Sequence, residues 1–228
     1  MTEKLSTEYL DRVAASLTEI KKAADEAGAR VVAATKTVPA EVIRFAFGHG
    51  LEYMGENRVQ ELLGKIDSLP FGSDRIHFIG RLQTNKVRYL VGRVCMIHSL
   101  DSLRLAEEIS RRFVSGVDCL VEINVGHEGE KGGVYAEDCE RFINQTAGLP
   151  NVNLRGLMSI GPYMENKEDY RPYMEKVAQL FEKMKSLGYF GPDPQLSMGM
   201  SDNFRLALEY GATIIRPGTA IFGRRSAT

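Results

Sequence analysis

The chain has few cysteines, no tryptophan and no long apolar segment. Three widely spaced cysteines without a CxxC pair argue against a disulfide framework and a cysteine zinc site. The four histidines show no HxxxH pairing, so we predict no metal site. No run reaches the ~20 apolar residues of a membrane helix, and the polar start MTEKLSTEYLDRV lacks the apolar core of a signal peptide. These absences predict a cytoplasmic protein without a membrane-embedded part.

The charge is nearly balanced, with a formal net charge of -1 and no strongly basic segment. Nucleic acid is therefore a poor candidate for a partner. Hydrophobic residues make up 43% of the 228 positions, which is ordinary for a soluble globular protein. A chain of this length can bury one large core.

Short apolar runs alternate with helical patterns along the chain. Apolar residues at steps of three and four, from Leu10 to Ala24, predict an amphipathic helix over about 5–27. Eight strands with intervening helices follow, and the strands are predicted at 31–35, 51–54, 76–79, 94–98, 117–124, 152–158, 195–198 and 212–216. Eight such units in one chain predict an α/β fold, a closed (β/α)8 barrel of the TIM type that forms a single domain over 1–228. A doubly wound open sheet is the alternative.

Lys36 stands at the exit of the first predicted strand, directly after the apolar run at 31–35. In a parallel barrel, functional residues lie at the carboxyl ends of the strands. Burial at such a rim can lower a lysine pKa by up to ~3–5 units, and a neutral amine of this kind is a usual Schiff-base nucleophile. The alternative is a lysine that merely extends from a strand end into solvent.

The last two predicted strands end in residues suited to an anion. Ser201, with Gly199 before it, is expected to enter a helix, so that its hydroxyl and the backbone N–H groups face an anion at the helix N-terminus. Gly218 and Thr219 follow the last strand and add further N–H groups and a hydroxyl. Loops after strands seven and eight are the usual phosphate site of this fold. A simple helix cap and a simple turn are the alternatives.

A lysine opposite a phosphate site suggests pyridoxal 5′-phosphate (PLP) as the ligand. Arg216 would lie between the two, beside the pyridine nitrogen. A guanidinium offers no proton acceptor, so the nitrogen would stay unprotonated and the ring would be a weaker electron sink. A salt bridge from Arg216 to a carboxylate inside the barrel is the alternative.

Seven segments, in order, resemble the pyridoxal phosphate homeostasis protein family, which is related to the N-terminal domain of alanine racemase. They are ATK (34–36), GENRVQE (55–61), HFIGRLQTNK (77–86), IHSLD (97–101), GLMSI (156–160), LSMGMS (196–201) and RPGTAIFG (216–223). The resemblance implies that Lys36 forms the internal aldimine, and that Arg216 lies by the pyridine nitrogen. It also implies that Asn57 lines the ring.

By the same resemblance, Ser201, Gly218 and Thr219 contact the phosphate. Three positions depart from the family pattern: Arg81 stands where histidine is frequent, Asn203 where aspartate is frequent, and Pro217 where an aliphatic residue is usual. Pro217 lacks a backbone N–H, so contacts to a phosphate there must come from Gly218 and Thr219.

The resemblance implies a non-catalytic carrier or regulator of the intracellular PLP supply, with apo forms of PLP-dependent enzymes as recipients. The chain stops soon after the eighth strand, without the second domain of the racemases. We therefore expect a monomer and assign no catalytic residue. A PLP-dependent amino-acid racemase or lyase that uses Lys36 is the alternative. A sugar-phosphate aldolase with the same lysine is a third hypothesis, and it predicts a colourless protein.

Overall fold

The computed structural model describes residues 6–126, 132–162, 164 and 167–223, and within these ranges the strands form one parallel sheet. The strands are β1 Arg30–Ala34, β2 Tyr53–Glu56, β3 Ile76–Phe78, β4 Met96–Leu100, β5 Val117–Asn124, β6 Val134–Tyr135, β7 Val152–Ser159, β8 Gln195–Ser197 and β9 Ile214–Ile215. Strand β1 pairs with both β2 and β9, and β4 pairs with β5, so eight strands close into a barrel. The two-residue β6 pairs with β5 beside this ring.

Helices follow most of the strands along the chain. They are α1 Thr7–Glu26, α2 Ala40–Gly48, α3 Val59–Lys65, α4 Leu103–Arg112, α5 Cys139–Thr146, α6 Arg171–Ser186, α7 Phe204–Glu209 and α8 Thr219–Phe222. The predicted (β/α)8 barrel is therefore confirmed. Because all barrel strands are parallel, their carboxyl ends meet at one rim.

Alternation along each strand separates two apolar regions. In β1, Val31 and Ala33 belong to the large core between the sheet and the helices, whereas Val32 faces the barrel interior. The interior cluster is small and consists of Val32, Ile79, Met96, Leu120, Met158 and Ile214. The strands and the residue directly after β9 also carry buried polar side chains beside this cluster, among them His77, His98, Ser197 and Arg216.

The first helix begins where Ser6 accepts a hydrogen bond from the backbone N–H of Tyr9, at 3.2 Å. A serine at this position satisfies an N–H group that has no partner within the helix. The buried face of α1 carries Val13, Leu17, Ile20 and Ala24, and it packs against β1, α2 and α8. No helix in the described ranges combines the length and the apolar character needed to cross a membrane.

Several predicted boundaries differ from the structure: the strand predicted at 94–98 is Met96–Leu100, and the one predicted at 212–216 is Ile214–Ile215. The second strand begins at Tyr53 rather than at 51, because pairing with β1 and β3 fixes its register. Between β3 and β4, where the alternation of strands and helices predicts a helix, Thr84–Tyr89 is a 3-10 helix. The last helix before β9 begins at Phe204, three residues after Ser201, which changes the local geometry of the predicted phosphate site.

Candidate functional site

One cavity of about 190 Å³ lies at the carboxyl rim of the barrel, and all six residues expected to contact PLP line it. They are Lys36, Asn57, Ser201, Arg216, Gly218 and Thr219. The lining residues are Ala34, Lys36, Asn57, Ile79, Ile160, Met200, Ser201, Asp202, Arg216, Gly218 and Thr219. They come from β1, β2, β3, β7, β8 and β9 or from the loops that follow these strands. The closed sheet thus brings together residues that lie more than 180 positions apart in the sequence.

Lys36 lies two residues beyond the end of β1 and is exposed. Of the two possibilities for this lysine, burial at the rim or extension from the strand end, the structure shows an exposed residue, because the chain leaves the sheet at Ala34. The residue nevertheless lines the cavity, together with Ser201 and Gly218. The lysine is accessible to a ligand that enters from the rim.

The turn that carries Lys36 is held from below by a buried ion pair. Lys65 Nζ lies 2.7 Å from Glu56 Oε1 and donates to the carbonyls of Thr35 and Val38, at 3.0 and 3.3 Å. The hydroxyl of Thr35 donates to Glu56 Oε1, at 2.6 Å. Burial raises the pKa of Glu56, and the hydrogen bonds from Lys65 and Thr35 oppose that rise. Sequence reasoning missed this cluster, because Lys65 on α3 reaches the turn only through the fold.

Ser201 contacts the start of α8 in a way that the sequence did not indicate. It lies in the turn before α7, not at the helix N-terminus. Its Oγ accepts from the backbone N–H groups of Gly218 and Ala220, both at 3.0 Å. The expectation that Ser201 acts with the N-terminus of its own helix is therefore wrong. Instead, the N–H groups at the start of α8 converge on its hydroxyl at one edge of the cavity.

Two of the three residues that depart from the family pattern, Asn203 and Pro217, support this edge of the cavity. The side chain of Asn203 accepts from the backbone N–H of Met200, at 2.8 Å, and thereby fixes the turn that holds Ser201. The carbonyl of Pro217 accepts from the backbone N–H of Ala34, at 2.9 Å, and joins this turn to β1. The third, Arg81, does not line the cavity but lies in an open cleft with Asp101 and Arg104.

Arg216 lines the floor of the cavity and is only 4% exposed. Its guanidinium donates to Ser197 Oγ at 2.5 Å and to the carbonyl of Ser159 at 2.9 Å. It forms no salt bridge with a carboxylate of the described residues. Burial lowers the pKa of Arg216 to about 10, although the charge of Glu122 acts in the opposite direction.

Below Arg216, two histidines occupy the barrel interior. His98 Nδ1 lies 3.0 Å from Ser197 Oγ, and His98 Nε2 lies 2.8 Å from His77 Nδ1. Burial lowers the pKa of His77 to about 3 and that of His98 well below its usual range. Both rings are therefore neutral at physiological pH. Sequence reasoning did not assign them a role, since their alignment depends on β3, β4 and β8 facing one another.

Asn57 provides a polar atom that lacks a protein partner. Its Oδ1 is buried and accepts no hydrogen bond from any described residue. Gly80 packs directly on the backbone of Asn57: a Cβ at Gly80 would lie 2.2 Å from the carbonyl oxygen of Asn57. A buried polar atom without a partner is costly, and Asn57 is one of the residues that line the cavity.

The arrangement offers three kinds of contact to one ligand. They are the accessible amine of Lys36, the hydroxyls of Ser201 and Thr219, and the guanidinium of Arg216. Such a set suits a ligand that has an electrophilic carbonyl, an anionic group and a hydrogen-bond acceptor. In the described part of the chain, no group of three or more His, Cys, Asp or Glu residues could hold a metal ion.

Comparison with known proteins gives consistent matches over nearly the whole chain. The family model for the N-terminal domain of alanine racemase matches residues 9–226. The pyridoxal phosphate homeostasis protein of Aquifex aeolicus is 48% identical over 223 residues, which are 94% of this chain and 97% of that protein. The protein of the same name from Pseudomonas aeruginosa is 38% identical over 224 residues, 96% of this chain and 95% of the other.

A solved structure shows the same architecture with a ligand. PipY of Synechococcus elongatus, determined with PLP bound, superimposes with a TM-score of 0.80 at 29% identity. The match covers 92% of this chain and 100% of PipY.

Proposed function

Because the chain belongs to the pyridoxal phosphate homeostasis proteins, within the wider family of the alanine racemase N-terminal domain, we propose that it binds PLP and regulates its supply as a carrier. The observation that carries the proposal is the single cavity that unites Lys36, Arg216 and the turn at Gly218. We further propose that it acts in the cytoplasm as a monomer and delivers the cofactor to apo-enzymes.

The cavity residues fit the parts of PLP one by one. Ser201 and Thr219 supply hydroxyl groups for the phosphate, and the N–H groups of Gly218 and Ala220 orient the Ser201 hydroxyl by donating to its Oγ. Arg216 can only donate, so it favours a ring nitrogen that accepts a hydrogen bond. The unpartnered Oδ1 of Asn57 offers an acceptor beside the ring. When bound, PLP supplies an aldehyde conjugated with an electron-withdrawing ring.

Lys36 is the residue that would hold the cofactor covalently. Its amine would supply the nucleophile for the aldehyde of PLP, and a link of this kind would be reversible by water. The exposure of Lys36 suits a carrier that must release its cargo, because water and acceptor proteins can reach the link.

The experiment is to mix the purified protein with PLP, reduce it with borohydride and map the modified peptide by mass spectrometry. We expect a yellow protein and modification at Lys36. The variant Lys36→Ala should stay colourless, whereas Lys86→Ala, which removes a lysine outside the cavity, should behave like the wild type. Equal labelling in the Lys36 variant, or a colourless wild type, would refute the proposal.

A transfer experiment separates the carrier from an enzyme. The loaded protein is mixed with an apo-enzyme that needs PLP, and the regained activity is measured against an equal concentration of free PLP. A carrier restores activity and loses its own absorbance in parallel. Activity that follows only the spontaneous release of PLP would contradict the carrier role.

A PLP-dependent racemase or lyase is a second candidate, and one observation favours it. Burial and the nearby Asp101 carboxylate raise the pKa of Glu122 to about 7, a value suited to a general acid or base. Glu122 lies near the carboxyl end of β5, within the influence of Arg216. Screening amino acids for turnover by the wild type, with Glu122→Gln for comparison, tests this candidate.

A further inference from the structure

The interior of the barrel contains a chain of four buried polar side chains that begins at the floor of the cavity. Arg216 bonds to Ser197, Ser197 to His98, and His98 to His77, with separations of 2.5, 3.0 and 2.8 Å. Each of the four residues is at most 5% exposed. The distances alone do not identify the donor in the two hydrogen bonds that involve a histidine.

The arginine sets the first direction. A guanidinium has donors and no acceptor, so Ser197 Oγ accepts from Arg216. The serine hydroxyl has one hydrogen of its own to place. Among the described residues, the one remaining neighbour of Ser197 Oγ within hydrogen-bond distance is Nδ1 of His98. A buried hydroxyl hydrogen without an acceptor is costly, so Ser197 donates to His98.

The hydrogen positions on His98 and His77 follow because both rings are neutral. A neutral imidazole carries one hydrogen, on either Nδ1 or Nε2. Since His98 Nδ1 accepts from Ser197, the hydrogen of His98 is on Nε2, and this atom faces His77 Nδ1. His77 Nδ1 therefore accepts, and its own hydrogen is also on Nε2. The reverse direction would leave the Ser197 hydrogen without a partner.

We propose that Ser197, His98 and His77 are positioning residues for Arg216: they form a hydrogen-bond chain with one direction, which fixes both histidines as Nε2–H tautomers and aims the guanidinium into the cavity. Arg216 has five N–H groups, and the bonds to Ser197 and to the Ser159 carbonyl hold one on each terminal nitrogen. These two bonds fix the orientation of the guanidinium, and with it the direction of the remaining three N–H groups. The role toward the cofactor rests on the proposed function, whereas the direction of the chain does not.

The direction is tested first in the protein without added PLP. Long-range proton–nitrogen NMR of histidine-labelled protein reports which ring nitrogen carries the hydrogen, and single histidine substitutions assign the signals. We expect a hydrogen on Nε2 and none on Nδ1 for His77 and His98. A hydrogen on Nδ1 of either ring, or a charged ring near pH 7, would overturn the proposal.

Ser197→Ala then tests whether the serine transmits the direction. Without the hydroxyl, nothing fixes Nδ1 of His98 as an acceptor, so both rings should show a mixture of tautomers. Ser99→Ala is the matched control, because Ser99 is also buried, follows His98 in β4 and has a hydroxyl without a partner in the described part of the chain. That control should keep the wild-type tautomers. Unchanged tautomers in Ser197→Ala would contradict the proposal.

Binding of PLP tests the positioning role. Loss of one bond to a charged group should weaken PLP binding by about tenfold in Ser197→Ala, with a shifted absorbance maximum, and should leave Ser99→Ala unchanged. Equal affinity and spectrum in the two variants would overturn the positioning role. If the wild type binds no PLP, the proposed function fails, and the tautomers still decide the direction of the chain.

Discussion

The amine of Lys65 lies 2.7 Å from Glu56 Oε1, directly beneath the turn that carries Lys36. Glu56 is fully buried and the Lys65 side chain is 12% exposed. Removing one partner of such a pair leaves an uncompensated buried charge. The pair therefore couples the stability of the barrel to the position of the cavity lysine.

Replacing Lys65 by Met should lower the free energy of unfolding by about 3 kcal/mol. The double variant Lys65→Met, Glu56→Gln should regain part of that loss, because no buried charge is left alone. Lys183→Met, which removes an exposed partner of Glu140, should cost at most about 1 kcal/mol. Urea unfolding measures all three, and equal losses for Lys65→Met and Lys183→Met would contradict the expectation.

Ser201→Ala should weaken the binding of PLP by about tenfold, because the phosphate loses the Ser201 hydroxyl, which the N–H groups of Gly218 and Ala220 hold in place. Inorganic phosphate should also compete less well in this variant. Ser186→Ala on α6 removes an exposed hydroxyl remote from the cavity and serves as the control. Absorbance titration decides the matter, and identical curves for the two variants would speak against a phosphate role for Ser201.

Gly80→Ala should destabilise the protein by about 2 kcal/mol or more, since the new Cβ would lie 2.2 Å from a backbone atom of Asn57. The control is Gly64→Ala in α3, where a Cβ meets no atom within 4 Å. That change should stabilise the helix by about 0.5–1 kcal/mol. Thermal and urea unfolding compare the two variants, and a neutral Gly80→Ala would show that the two strand ends can separate.

Glu122 should make stability depend on pH. Its pKa is raised in the folded state to about 7, from an ordinary value of 4.5, first by burial and then by Asp101. A raised carboxyl pKa means that the folded state binds the proton more tightly than the unfolded state does. The stabilising contribution is therefore complete below the unfolded pKa and is lost as the pH rises through about 7.

Glu122→Gln removes this dependence. Relative to the wild type, the variant should gain on the order of 1–2 kcal/mol of stability between about pH 5 and about pH 8. Urea unfolding at the two pH values measures the difference. A constant difference between variant and wild type across this range would contradict the raised pKa.

The sequence predicted the cavity residues because the fold requires that parallel strand ends meet at one rim. Once eight strands are recognised, Lys36 and Arg216 must lie near each other, whatever the length of chain between them. The sequence failed at the boundaries. The start of α7 moved from Ser201 to Phe204, because hydrogen bonds to Gly218 and Ala220 engage the serine before the helix begins.

The sequence alone determined the fold class and the set of residues at the rim, since hydrophobic periodicity and the order of the segments are properties of the chain itself. Only the tertiary structure decided that Lys36 is exposed, that Lys65 pairs with Glu56, and that His98 connects Ser197 to His77. These contacts depend on which side of each strand faces inward and on the register between strands. The inward face and the register of each strand are fixed only when the sheet closes, because closure packs side chains from distant parts of the sequence into one interior.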